Sequence, residues 1–161
     1  MNERLLFVLT FASALGSGLI AGLFFAFSAF VMTALGRIPP HQGMAAMQSI
    51  NVTILNSLFS FVFIGTALAS AALAIVSYFR WGEAGTIYLL AGSLLYLLVF
   101  LVTVAFNVPL NDTLAAAKPG SAAGADIWAR YLVRWTAWNH VRTAASIAAL
   151  ASFIIALRLR G

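Results

Sequence analysis

The chain has 161 residues, of which 63% are hydrophobic and only 8% carry a charge. Its mean hydropathy is +1.00, whereas a water-soluble domain of this size carries about 25% charged residues, so lipid is the expected main solvent. The lack of cysteine excludes disulfides, thiolate catalysis and cysteine-ligated iron–sulfur or haem centres. The net charge of +5 is scattered over segment ends, which excludes nucleic acid as a partner and favours contact with lipid headgroups.

The first apolar segment covers residues 5–32 and is longer than the roughly 20 residues that cross a bilayer. It is too long for the apolar region of a cleaved signal peptide, so it is predicted to be a retained span. Gly18 and Gly22 form a G-x-x-x-G motif, and Ala14 extends the same row of small residues. Such a row lets another helix approach closely. We expect this contact within the bundle, with a homo-oligomer as the alternative.

A Pro-Pro break at residues 39–40 separates the first span from an amphipathic segment over residues 41–58. Gln48 and Asn51 are neighbours on the polar face of this segment, three residues apart. The segment is predicted to continue as helix into the second span, residues 56–78. An aromatic and basic sequence at residues 78–81 then ends that span at headgroup depth.

The third span is predicted over residues 86–106, ending where Pro109 disrupts the last turn. Residues 115–125 are predicted to form a loop, followed by a helix capped by Asp126 that begins at Ile127 and reaches Leu159. That helix would be roughly 50 Å long, so only residues 135–158 need cross the bilayer. The prediction is an all-α integral membrane protein of one domain, residues 1–161. Its fold is an up-down-up-down four-helix bundle with an extended fourth helix and an amphipathic segment before the second.

The orientation follows from basic residues in short segments at span ends, where the positive-inside rule has most weight. Arg4, Arg80, Arg158 and Arg160 share one predicted side. We therefore expect both termini in the cytoplasm, with the protein in a bacterial inner (plasma) membrane.

The strongest concentration of chemistry lies in the fourth helix, over residues 128–142. Indole, phenol, amide and guanidinium groups fall within about 100° of one another on a single helical face. Either an interfacial aromatic belt or the wall of a pocket explains this stripe. Its members are Trp128, Tyr131, Trp135, Trp138, Asn139 and Arg142.

Metal-binding side chains are sparse, with two histidines and four carboxylates in the whole sequence. A metal site would require His41, Asp112 and His140 to converge, although functional sites usually show denser ligands. The sequence has no nucleophile triad spacing and no phosphate-binding loop. We therefore predict no metal and no cofactor, while haem or a metal stays open.

Four blocks carry a family resemblance: residues 22–28, residues 39–51, Asn-Val-Pro-Leu-Asn at 107–111, and Trp-x-x-Trp-Asn-x-x-Arg at 135–142. Together they resemble the anthrone oxygenase family, small four-helix membrane proteins long catalogued as a domain of unknown function. The resemblance covers nearly the whole chain. It implies oxidation of a polyketide anthrone to an anthraquinone by molecular oxygen, with a hydrophobic aromatic small molecule as the ligand.

The chemistry of an anthrone defines what such a site must contain. Its CH₂ group is acidic for carbon, and the enolate is electron-rich enough to reduce O₂ without a metal or a flavin. The protein must then supply an aromatic slot, donors for an oxyanion and a proton acceptor. The candidate catalytic residues are Asn139, Arg142, His140 as the base, Asn107 and Asn111. The candidate substrate-binding residues are Trp135, Trp138, Tyr131, Trp128, Asn51 and Gln48.

Two other functions fit the same residues. One is a membrane protein that binds a quinone, a lipid or haem without turnover. The other is a structural accessory subunit whose aromatic stripe docks a partner helix.

Overall fold

A computed structural model describes residues 2–160 as five helices joined by short connections. They are α1 (Glu3–Arg37), α2 (Pro40–Leu55), α3 (Leu58–Phe79), α4 (Thr86–Ala115) and α5 (Ala122–Arg160). No strand occurs in residues 2–160, so the all-α prediction is confirmed.

Four of these helices, α1, α3, α4 and α5, are long and apolar enough to cross a membrane. Each of them packs against its neighbours in the chain, and α5 closes the ring against α1. The four-helix bundle is therefore confirmed, and its apolar helices fit an integral membrane protein.

An ion-pair network holds one end of the bundle together. Arg80 pairs with Glu3 of α1 and with Glu83 in the α3–α4 turn. Arg160 at the end of α5 donates to the Glu83 carboxylate at 2.7 Å and to Thr86 Oγ1 at 3.0 Å. The hydrogen bond that Arg80 donates to the Glu3 carboxylate raises the pKa of Arg80 above its ordinary value. Both ends of the described chain and the α3–α4 turn thus share one end of the bundle.

A glycine allows α1 to pack closely against α3, but this glycine does not belong to the G-x-x-x-G motif. A Cβ added at Gly16 of α1 would lie 2.0 Å from Thr66 Oγ1 of α3. A Cβ at Gly18 would make ordinary contact with Leu150 at 3.6 Å, and one at Gly22 would meet nothing within 4 Å. Gly18 therefore packs within the bundle, against α5, whereas Gly22 makes no such contact. The close approach to α3 occurs at Gly16, on a different face of α1.

Helix α4 does not end at residue 106. It passes through a π-helical turn, Thr103–Asn107, and continues to Ala115. Pro109 is tolerated because it occupies the first turn of this continuation, where a proline needs no backbone donor.

Two further helix boundaries differ from the predictions. Helix α5 begins at Ala122, with Ser121 Oγ accepting from the Gly124 N–H at 3.0 Å, so Asp126 lies inside the helix and is not its cap. The amphipathic helix α2 ends at Leu55 and does not continue into α3, because Ser57 Oγ caps the Phe59 N–H at 3.2 Å.

A candidate anion-binding cavity

A cavity of about 290 Å³ lies where α2 covers the bundle formed by α1, α4 and α5, with Phe59 of α3 at one side. Its walls are mostly apolar. The aromatic members are Phe24, Phe27, Phe59 and Trp135. The polar and charged members are Gln48, Asn51, Thr103, Asn111, Asp112 and Arg142.

Arg142 places a positive charge inside this apolar cavity. The residue is only 4% exposed. Its guanidinium carbon lies 4.1 Å from the ring centre of Phe24 and 5.0 Å from that of Trp135, so both rings make cation–π contacts. Among residues 2–160, no carboxylate lies within 4.0 Å of the guanidinium. A buried cation without a carboxylate is costly in an apolar environment and favours an anionic ligand.

Asn139 orients this guanidinium from behind. Its Oδ1 accepts a hydrogen bond of 2.8 Å from Arg142 Nη2. Its Nδ2 donates at 2.8 Å to the Phe24 carbonyl and at 2.8 Å to Ser28 Oγ, both in α1. Asn139 is fully buried but does not line the cavity. Asn139 therefore holds the Arg142 side chain in place without contacting the cavity itself.

Two π-helical turns carry the hydroxyl side chains that contact Asn139 and Arg142. Ser28 belongs to the turn Phe27–Val31 of α1, and Thr103 begins the turn of α4. Thr103 Oγ1 accepts from Arg142 Nη1 at 3.4 Å. Each turn inserts an extra residue into the helical repeat and so changes the direction of the side chains that follow, a common feature of functional sites.

Three of the predicted aromatic residues form a continuous stack along α5. The ring centres of Trp128 and Tyr131 are 5.8 Å apart, and those of Tyr131 and Trp135 are 5.9 Å apart. Phe27 packs against Trp135 at 5.5 Å. Only Trp135 reaches the cavity, whereas Trp128 and Tyr131 are buried in the core beneath α2.

Two amide side chains of the cavity wall, Asn51 and Asn111, share Tyr131 as a hydrogen-bond partner. Asn111 Oδ1 accepts a hydrogen bond of 2.8 Å from the Tyr131 hydroxyl, and Asn51 Nδ2 donates to the same hydroxyl at 3.5 Å. Tyr131 thus connects α2, α4 and α5 from outside the cavity wall.

Gln48 and Asn107 have mainly positioning contacts. Gln48 Nε2 donates to the carbonyls of Leu114 at 2.7 Å and Ala117 at 3.0 Å, which ties α2 to the end of α4. Asn107 is fully buried behind the wall and donates through Nδ2 to the Trp135 carbonyl at 3.3 Å. Within the described residues, Asn107 Oδ1 has no hydrogen-bond partner.

Trp138 and His140 lie outside the cavity. Trp138 stacks on Phe106 of α4 with ring centres 3.7 Å apart, and Phe106 itself is 41% exposed. His140 is exposed and lies about 100° around α5 from Asn139 and about 160° from Arg142, as the helical repeat requires. The prediction of His140 as base is therefore not supported by its position.

Several residues of the cavity wall were not predicted as site residues from the sequence. Phe24, Phe27 and Phe59 carry no polar signal that distinguishes them from other membrane-facing rings. Asp112 directly follows the block at 107–111 and was considered from the sequence only as a candidate metal ligand. Within residues 2–160, no group of three or more His, Cys, Asp or Glu side chains is arranged to hold a metal ion.

The amino-acid sequence matches the model of a known protein family. The family model described as anthrone oxygenase matches residues 52–152, more than half of the chain. The matched range includes Asn111, Asp112, Trp135 and Arg142 but not the cavity residues of α1. Searches of curated proteins and of solved structures gave no significant match. With its matched range spanning most of the bundle, the chain belongs to the anthrone oxygenase family.

Proposed function

We propose that this protein is an oxygenase that oxidises a hydrophobic, phenolic polycycle of the anthrone type to the quinone, without a bound cofactor. The observation that carries the proposal is Arg142, a buried cation with no carboxylate partner among residues 2–160, between the rings of Phe24 and Trp135. Membership of the anthrone oxygenase family supports the same substrate class.

The cation supports the reaction because negative charge develops on the anthrone oxygen when the ring system loses a proton. Preorganised donors in a water-poor site stabilise such charge far better than they would in water. In this proposal Arg142 binds the enolate oxygen, and Asn139 holds the guanidinium in place by its 2.8 Å hydrogen bond.

The shape of the cavity supports a flat aromatic ligand. Its volume of about 290 Å³ is near the lower limit of about 300 Å³ for small-molecule pockets. Phe27 and Trp135 present rings at the depth of the cation, where a planar ligand can stack.

Entry from the lipid phase is part of the proposal. Exposed apolar residues of the wall, Val52 and Leu55 on α2 and Val108 on α4, form the rim of the cavity. An anthrone dissolved in the bilayer would pass between these two helices. We place the protein in a bacterial inner membrane with both termini in the cytoplasm.

Oxygen uptake by the purified protein tests the proposal. With emodin anthrone as substrate, we expect uptake well above the autoxidation rate, unchanged by a chelator and without added flavin. One O₂ should be consumed for each quinone formed. A rate equal to the protein-free control would contradict turnover. Quinone binding without turnover would then favour a binding protein.

A further inference from the structure

Within residues 2–160, only two ionisable side chains line the cavity, and they carry opposite charges. Arg142 comes from α5 and Asp112 from α4. The parts of α1, α2 and α3 that form the wall contribute no ionisable group. A reaction that begins by removing a proton from carbon needs a base as well as an oxyanion donor. The wall offers one of each.

Asp112 lines the same cavity as Arg142 and carries the carboxylate of the wall. Its neighbour Asn111 is fixed by the 2.8 Å hydrogen bond from Tyr131, and this fixes the turn of α4 that carries the carboxylate. Among residues 2–160, no donor is hydrogen-bonded to the carboxylate of Asp112, so its oxygens are free to accept a proton. The side chain is exposed at the rim, from which the proton can pass to water.

The other bases at this end of the protein are less suitable. His41 of α2 and His140 of α5 are exposed and do not line the cavity. The Tyr131 hydroxyl donates to Asn111 and lies behind the wall. Asp126 is exposed in the first turns of α5 and is also absent from the wall.

We propose that Asp112 is the catalytic base that removes the CH₂ proton of the anthrone. This proposal rests on the oxygenase function proposed above. In this proposal Arg142 binds the oxyanion and Asp112 accepts the proton at the rim of the cavity.

The complete reaction balances with O₂ as the only oxidant. Asp112 takes one proton, and the electron pair of the broken C–H bond delocalises onto the carbonyl oxygen as an enolate. The enolate gives one electron to O₂, and the resulting radical and superoxide combine through a new C–O bond to form a peroxide anion. Asp112 returns its proton to the distal oxygen of this peroxide and then removes the second proton from the same carbon, which forms the C=O bond, breaks the O–O bond and releases hydroxide. That hydroxide becomes water with the proton from Asp112.

An Asp112→Asn variant tests this role, with Asp126→Asn as the matched control. At neutral pH we expect kcat for Asp112→Asn to fall about 100-fold or more, the lower end of what a positioned base contributes. Binding of the anthraquinone product should stay within about threefold of wild type. The deficit should shrink at alkaline pH, where the anthrone ionises without help, and Asp126→Asn should match the wild type throughout.

The outcomes separate this inference from the proposed function. If the wild type does not consume O₂ above background, the oxygenase function itself fails. If the wild type is active and Asp112→Asn keeps its kcat at every pH, Asp112 is not the base. Should Asp112→Asn fold poorly, Asp112→Ala replaces it, with the same loss of kcat expected; a wild-type kcat for that variant at neutral pH would overturn the proposal.

Discussion

At the scale of single residues, the site is built in two layers. Arg142 reaches the cavity, while Asn139 lies behind it and joins the guanidinium to the Phe24 carbonyl and Ser28. Helical periodicity already placed Asn139 and Arg142 on one face. It did not tell which one reaches the ligand, because that depends on how α1 packs over Asn139.

The adjacent residues Asn139 and His140 of α5 provide a test of whether Asn139 supports Arg142. Asn139→Ala removes three buried hydrogen bonds, so we expect it to lower the free energy of unfolding by roughly 1–3 kcal/mol. It should also weaken anthraquinone binding at least tenfold, because Arg142 loses its acceptor. The neighbouring His140→Ala should change neither property, since His140 is exposed. Thermal denaturation in detergent and ligand titration measure both effects; equal behaviour of the two variants would contradict the layering.

At the scale of secondary structure elements, composition and periodicity predicted the four spans and the amphipathic α2. They missed the continuation of α4 through Pro109, because a π-helical turn lets the proline start a new segment. The cavity depends on that continuation, since Asn111 and Asp112 both lie beyond the turn. Such a turn has no dependable sequence signal, because its stability comes from tertiary contacts.

The contact between α1 and α3 yields a prediction for the bundle core. Gly16→Ala should lower the free energy of unfolding by roughly 1–3 kcal/mol, as overpacking does, because its Cβ would overlap Thr66. Gly22→Ala adds the same methyl group where nothing lies within 4 Å. It should be neutral or stabilising by up to about 1 kcal/mol through helix propensity. Thermal denaturation of both variants checks this, and a stable Gly16→Ala protein would show that the two helices are further apart.

At the scale of the whole molecule, the two ends of the bundle differ in chemistry. One end holds the ion-pair network of Glu3, Arg80, Glu83 and Arg160. The other carries α2, the rim of the cavity and the α4–α5 connection. The positive-inside rule predicts that the first end lies in the cytoplasm.

Cysteine labelling tests this orientation, and the chain is suited to it because it contains no native cysteine. Trp81→Cys marks the end with the ion pairs, and Ala123→Cys marks the end with the cavity; both positions are exposed. On intact bacterial cells, a membrane-impermeant maleimide should label Ala123→Cys and leave Trp81→Cys unlabelled until the membrane is broken. The reverse pattern would invert the proposed orientation.

The position of a bound ligand tests the central claim most directly. We predict that a structure of the protein with the anthraquinone product will show the ring system inside the cavity, packed against the rings of Phe27 and Trp135. A carbonyl oxygen of the ligand should lie about 2.7–3.2 Å from a guanidinium nitrogen of Arg142. A ligand bound elsewhere, or a carbonyl oxygen out of hydrogen-bond reach of Arg142, would contradict the account.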